Sequence, residues 1–324
     1  MAAALALGLA LLVAYVALFT AAFRDPQPKG LEVAVFAPGG MERQLEQGLE
    51  RSAPGIYQLD RVGSARTARE AVLDRTADGG VVVTADGARV LTAEAGGLAT
   101  AQALAVGLTR ATAATGMRAE VEDLRPLPDN DSRGMTGFFT VVGVLIGGLA
   151  GAVALWLLAA TLGLVARIAA LGVFAALGGL LAAVTTGGVV DTLDGAFWSV
   201  AGVTALLSLA VGLTTAGLLR WLGGAGIGLS MVLMVLLGLS SSGGVLSSQF
   251  LPGFFEAVGP LLPASAGRDA LRAVVYFDGH GSAAALMVLV AWSLIGAGAL
   301  FAAAGVGRQA QPALHLSSQR PLAS

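Results

Sequence analysis

Charged side chains are missing from six long stretches of this sequence: 2–23, 134–166, 168–190, 195–219, 221–255 and 279–307. A helix that crosses a bilayer needs about 20 apolar residues, and a charge at its centre costs roughly 2.5–3.5 kcal/mol. Each gap is long enough to cross, so the spacing predicts six transmembrane helices. Of the 324 residues only 12% are charged, and the mean hydropathy is +0.78. Soluble domains carry about 25% charged residues, so a disordered chain and a free cytosolic enzyme are excluded. The expected fold class is a polytopic α-helical membrane protein with an inserted extracytoplasmic α/β domain.

The insert shows as a change of composition. Residues 24–133 hold 13 Lys/Arg and 16 Asp/Glu, against 6 and 5 in the rest of the chain. A segment of about 110 residues is large enough to bury a core of its own. The expected organisation is therefore an anchor over 1–23, an extracytoplasmic domain over 24–133, a five-helix membrane domain over 134–306 and a cytoplasmic tail over 307–324. Within the insert, Leu31–Phe36 reads as a strand, and Met41, Leu45 and Leu49 recur at helical spacing. Ile56–Val62 is a second strand candidate, Ser64 caps a helix, 80–83 is a short buried strand, and Asp86-Gly87 signals a hairpin. Residues 97–116 are helical in composition, and 120–127 closes the sheet. The predicted order is β-α-β-α-β-β-α-β.

The short connections set the orientation. Arg167 and Arg220 each separate a pair of gaps, Arg308 and Arg320 follow the last one, and Asp191 and Asp194 stand between two others without a basic neighbour. Arginine-bearing connections belong in the cytoplasm. That places both termini inside, residues 24–133 outside, and Arg167 and Arg220 as candidate cytoplasmic contacts on a plasma membrane. The first gap lacks the basic n-region of a cleaved signal peptide and is longer than the usual apolar run, so it is read as a retained anchor.

The chemistry available is limited. There is no cysteine, and Lys29 is the only lysine, followed by Gly rather than Ser or Thr. Disulfides, thiolate metal sites and a phosphate-binding Gly-Lys-Ser/Thr loop are thereby excluded. A net charge of −2 gives no footprint for nucleic acid. No gap contains a carboxylate at mid-depth, as an ion-coupled carrier requires, and no nucleophile–base pair stands out, so no catalytic residue, cofactor or metal is assigned. His280 and His315 have no second ligand beside them. Gly143, Gly147 and Gly151, and Gly224 and Gly228, stand at four-residue spacing, a pattern that lets helices approach in lipid. They are the candidate packing or homodimer faces.

The segment 247–278 is the richest. Three prolines interrupt an apolar run containing Phe250, Phe254, Phe255 and Glu256, and Ser265 then opens a helix carrying Arg268, Asp269 and Arg272. Irregular backbone at membrane depth is tolerated only where protein buries it or it lines a cavity, so an interfacial or re-entrant element is expected. Phe250, Phe254, Phe255, Glu256, Arg268 and Arg272 are the candidate lipid or substrate contacts. The blander expectation for the arginines is that they face water or pair with Asp269.

Together these features resemble the ABC-2 type membrane superfamily, most closely the branch of actinobacterial permease-like proteins related to phage-infection proteins. The likeness rests on the anchor, the external α/β insert and five further spans. It rests also on Asp131-Ser132-Arg133-Gly134, and on Phe250-Leu251-Pro252-Gly253-Phe254-Phe255-Glu256, Gly259-Pro260-Leu261-Leu262-Pro263-Ala264 and Asp269-Ala270-Leu271-Arg272. The resemblance implies a dimeric permease subunit that exports or flips an amphipathic or lipid-linked molecule, served by a separate ABC ATPase. The sequence departs from coupled exporters in one respect: the first cytoplasmic loop is little more than Leu164–Ile168 and carries no carboxylate. The alternative expectation is a non-transporting scaffold or receptor whose external domain binds a protein or cell-wall partner.

Overall fold

The computed structural model describes residues 2–24, 26–159, 161–189, 192–193, 196–244 and 246–309. Asp191, Asp194 and the tail from residue 310, with His315 and Arg320, lie outside the described residues.

The chain opens with helix α1 (Ala2–Phe23) and then builds a sheet domain from β1 (Leu31–Phe36), α2 (Met41–Ser52), β2 (Tyr57–Arg61), α3 (Ala65–Leu73), β3 (Gly79–Thr84), β4 (Gly87–Thr92), α4 (Leu98–Ala114) and β5 (Ala119–Asp123). This is the expected element order. The sheet is mixed, ordered β2-β1-β3-β4-β5, with β3 and β4 the antiparallel pair. Ser64 caps α3 by accepting a hydrogen bond from the Thr67 amide at 3.0 Å.

Alternation along the strands makes two apolar faces. On one, Val33, Val35, Val81, Val83 and Val90 pack against Leu45 and Leu49 of α2 and Leu104 and Leu108 of α4. On the other, Ala34, Val82 and Leu91 meet Ala68 and Val72 of the nine-residue α3, with Ala95 and Leu124 beside them. That face is completed from far along the chain: Phe277, 1% exposed, lies in the same cluster. The insert thus buries one core wholly of its own and shares the second with Phe277 and Tyr276.

The helical part begins where Asp131 caps α5 (Met135–Leu158), one carboxylate oxygen accepting from the Met135 amide at 2.8 Å and the other from Thr136 at 3.0 Å. There follow α6 (Leu164–Ala183), whose last turns become π-helical through Val189, and α7 (Phe197–Leu222). Next comes a rod made of α8 (Ala225–Ser230), a π-helical stretch Met231–Leu237 and α9 (Gly238–Ser241). The chain continues through α10 (Gly253–Val258) and α11 (Pro263–Tyr276) to α12 (Ala283–Gln309).

Four helical segments are long and apolar enough to cross a membrane: Met135–Leu158, Leu164–Gly188, Phe197–Leu222 and Ala283–Ala303. Shorter apolar helices, Gly8–Phe23 within α1 and the rod Ala225–Ser241, stand at two of the six expected positions. The rod has 17 residues, about 25 Å at 1.5 Å per residue. The fifth charge-free stretch reaches residue 255, with an irregular segment expected from 247. The helix breaks earlier, after Ser241, where Gly243 and Gly244 adopt φ of +75° and +58°, a left-handed geometry that ends a helix.

Helix α7 is the hub. In its apolar window 72% of residues are buried, against 17% for α12, and α5, α6, α11 and α12 all pack on it. Glycines set the close approaches, though not the whole of the expected stripe. A Cβ at Gly151 would lie 2.7 Å from the Phe174 ring on α6, and one at Gly148 would lie 3.1 Å from the Ser208 carbonyl on α7. Gly143 and Gly147 face open space along a groove between α5 and α6. Gly224 likewise meets nothing, whereas a Cβ at nearby Gly226 would lie 2.6 Å from the Leu218 carbonyl.

Helix α12 supplies a paired test. A Cβ at Gly296 would lie 2.4 Å from the Thr214 nitrogen and 2.5 Å from the Leu213 carbonyl carbon, both backbone atoms, whereas one at Gly298 meets nothing within 4 Å. Gly296→Val must push α12 off α7, at a cost of about 1–3 kcal/mol or more. Thermal unfolding in detergent should show a midpoint lowered by several degrees for Gly296→Val and unchanged for Gly298→Val.

Candidate functional site at the junction of sheet and helices

The segment 247–278 enters the fold as a broken pair of short helices lying against the hub. Helix α11 starts at Pro263, which fits the first turn because its missing N–H has no partner there. Ser265 is therefore not the cap expected of it: Leu262 holds that position, and the Ser265 hydroxyl donates to the Ser241 carbonyl at 3.4 Å. Gly267 brings α11 against α7, where a Cβ would lie 2.7 Å from the Leu207 side chain.

Arg268 is only 5% exposed. Its guanidinium donates to the carbonyls of Ser242 and, at 3.1 Å, Leu246, and to Asp269 Oδ1 at 3.0 Å. The first two acceptors belong to the break after α9, whose carbonyls have left the helical ladder. A buried carbonyl without a donor costs about 1–3 kcal/mol, so Arg268 holds the break together. Of the blander expectation, that the arginines face water or pair with Asp269, the pairing holds for Arg268 and the exposure to water does not.

The other end of α11 fastens the sheet domain. Arg272 donates to the Gly96 carbonyl at 2.9 Å. Arg125, just beyond β5, donates to the Tyr276 carbonyl at 2.8 Å and pairs with Asp278 at 3.2 Å. Arg75 donates to the Asp269 carbonyl at 3.3 Å and stacks over the Phe277 ring, 5.3 Å from its centroid. The His280 and Asp74 side chains approach to 3.1 Å. Nearer the break, Gln249 donates to Asp78 at 2.7 Å, the Lys29 amide donates to the Gln249 carbonyl at 3.1 Å, and Thr100 donates to Ser247 at 2.8 Å.

Two backbone features mark the junction. Among the described residues, Arg75 and Asp278 are the non-glycine positions with positive φ, at 61° and 54°. Each such position costs of order 1–3 kcal/mol and persists only where its surroundings impose it. Both lie at the ends of elements that meet here, held by the contacts of Arg75 with α11 and of Asp278 with Arg125.

Burial raises the Asp78 carboxyl above the ordinary range against its hydrogen bonds from the Glu32 amide and Gln249. Burial lowers the Arg75 guanidinium. At Asp269 burial acts upward as well, but the guanidiniums of Arg268, Arg272 and Arg75 outweigh it and hold the carboxyl below its usual value. Three guanidiniums thus surround one carboxylate. Every one of these groups is engaged with backbone or a neighbour, and no group of three or more His, Cys, Asp or Glu able to hold a metal exists among the described residues. The arrangement transmits position; it does not offer a nucleophile and its base.

The six candidate contacts do not form one surface. Phe255 packs with Ala22 of α1 and Leu251, and Phe250 is buried, whereas Phe254 is 61% exposed. Arg268 and Arg272 are engaged as described, and Glu256 is half-buried. The reading of the sequence missed Phe277, Asp78, Gln249, Arg75 and Arg125. Their partners lie up to 194 residues away, and the one available signal was the excess of sheet face over helix in the insert. Comparison with family models, with characterised proteins and with solved structures found nothing that matches this chain.

Two outcomes are expected. Phe277→Ala removes a ring from the second face of the sheet, a loss of about 3–5 kcal/mol for a buried aromatic; limited proteolysis should then cut within 31–127 far sooner, with the long helices still protected. Asp78→Asn keeps an oxygen for both donors and removes a buried charge. Because the folded-state Asp78 carboxyl titrates above its unfolded value, the wild type loses stability as pH rises from the unfolded to the folded value. The variant should therefore be equal or more stable at pH 7, and its advantage should vanish once the pH falls below the ordinary carboxylate range. Thermal unfolding from pH 3 to 8 reads this directly.

Proposed function

We propose that this chain is an ABC-2-like permease subunit of a bacterial cell membrane that exports or flips an amphipathic or lipid-linked molecule. In this reading the four long helices, α1 and the rod 225–241 make six spans. The sheet domain lies outside, and the ends of α5 and α7 face the cytoplasm. The observation that carries the proposal is the polar, broken segment 242–276, packed on the hub α7 and fastened to the sheet domain by Phe277. Discontinuous helices at membrane depth stand where a protein lines a path or a cavity. Here such an element is joined to an aqueous domain, so a movement of the sheet must move the membrane helices. The Gly143–Gly147 groove is the face left free for lipid or for a second copy.

The connections 159–163 and 223–224 are short and carry no carboxylate, which favours one second reading, a receptor or scaffold that needs no ATPase. Gentle-detergent purification from native membranes separates the two. Recovery of an ABC ATPase supports the permease, while a wall or protein partner held by the sheet domain without any ATPase overturns it. Topology is testable on the same protein, since it has no cysteine. Asp86→Cys should react with an impermeant maleimide in intact cells, and Leu222→Cys only after permeabilisation.

A further inference from the structure

Arg167, in the first turns of α6, and Arg220, in the last turn of α7, line one cavity of about 500 Å³, together with Trp156 of α5, Leu300 of α12, Leu164 and Gly223. Helices α5, α6 and α7 bring their ends together here, at the end of the bundle away from the sheet. The volume falls within the roughly 300–1,000 Å³ of small-ligand sites. We propose that this cavity binds a phosphate group, presented either by an anionic phospholipid of the adjacent leaflet or by a soluble phosphate ion.

The first support is charge. Arg167 makes one hydrogen bond, to the Ala159 carbonyl at 3.3 Å, and among the described residues neither arginine has a carboxylate partner. Among the described residues beyond Arg133 the acidic side chains are Glu256, Asp269 and Asp278, and none of them lines the cavity. Two guanidiniums thus line one cavity with no carboxylate beside them among the described residues. The carbonyl end of α7 beside Arg220 contributes only about half a charge.

The second support is the donor geometry. Helix α6 starts at Gly163 without a side-chain cap and without an acidic residue in its first turn, so its first amides and its positive end add to Arg167. Guanidinium forks match the oxygens of phosphate in pairs. A third support is depth. Trp156 lines the cavity and Trp221 follows Arg220, donating to the Ala299 carbonyl at 2.9 Å. Tryptophan with one polar edge satisfied belongs at headgroup level. Leu157, Leu158 and Val165, at the adjoining ends of α5 and α6, are exposed and offer acyl chains a surface. Basic pockets between helices at this level are known to take phospholipid headgroups.

The test compares wild type with Arg167→Gln/Arg220→Gln and Arg167→Lys/Arg220→Lys, with Arg110→Gln on the sheet domain as a control. In one arm, protein from nanodiscs of phosphatidylcholine with phosphatidylglycerol is moved to neutral detergent, and retained lipid is read by native mass spectrometry. In the other, delipidated protein is titrated with inorganic phosphate and followed by thermal unfolding. Wild type and Arg110→Gln should retain phosphatidylglycerol, the Lys pair should retain part of it, and the Gln pair should bind roughly tenfold to thirtyfold more weakly. Such a loss in the lipid arm assigns a headgroup; stabilisation by phosphate alone, absent from the Gln pair, assigns the soluble ion. Equal behaviour of wild type and Gln pair in both arms overturns the site. That failure leaves membrane topology and ATPase recovery untouched, so it is distinguishable from failure of the permease reading.

Discussion

The ring of Phe277 stands in the second core of the sheet, with Ala68 and Val72 of the nine-residue α3 and with Ala95 and Leu124. Each face of a sheet must leave solvent to offset the entropy of ordering the chain. The residue that completes the second face ends α11, and α11 packs on α7, the most enclosed helix of the bundle. The sheet and the helices are thus joined at one place, by Phe277 and the polar contacts around it.

Around that ring the polar contacts share a character. They run mostly from side chain to backbone: Arg272 to Gly96, Arg125 to Tyr276, Arg75 to Asp269, Arg268 to Ser242 and Leu246. Carbonyls of this kind arise wherever helices stop, and a buried stop without a donor is costly. Guanidinium, with five donors in a rigid fork, meets several at once. The concentration of arginine at a place where the chain breaks three times is thus a consequence of backbone accounting. The positive φ of Arg75 and Asp278 is the conformational cost of bringing those groups into register.

The two ends of the bundle differ in their electrostatics. At the sheet side, carboxylates and guanidiniums neutralise one another within the chain. At the far side, Arg167 and Arg220 line one cavity and have no carboxylate partner among the described residues. The proposed phosphate site would supply a counter-charge there. A transport reading needs both ends: an outer element able to move with an aqueous domain, and an inner end held at a fixed depth while it does so.

The order β-α-β-α-β-β-α-β was legible in the sequence because strand and helix periods, the Ser64 cap and the Asp86-Gly87 turn are local signals. The long apolar helices were legible for the same reason: the cost of a charge in lipid is exacted residue by residue. The irregular segment was legible from its prolines, but its start was placed at 247 rather than after Ser241, because serine, glycine and leucine are all uncharged and hydropathy alone does not mark where the helix stops. The glycine stripe was half legible; spacing identifies small residues, but which face meets a neighbour depends on the rotation of α5, so Gly148 and Gly151 pack while Gly143 and Gly147 stay open. Composition and period by themselves determined the apolar helices, the order of elements along the insert and the absence of thiol chemistry. Only the tertiary structure decided the order of strands in the sheet, that Phe277 belongs to it, that Arg268 is buried and that Arg167 and Arg220 line one cavity, because each of these joins residues tens to hundreds of positions apart, and no local pattern records what a distant face lacks.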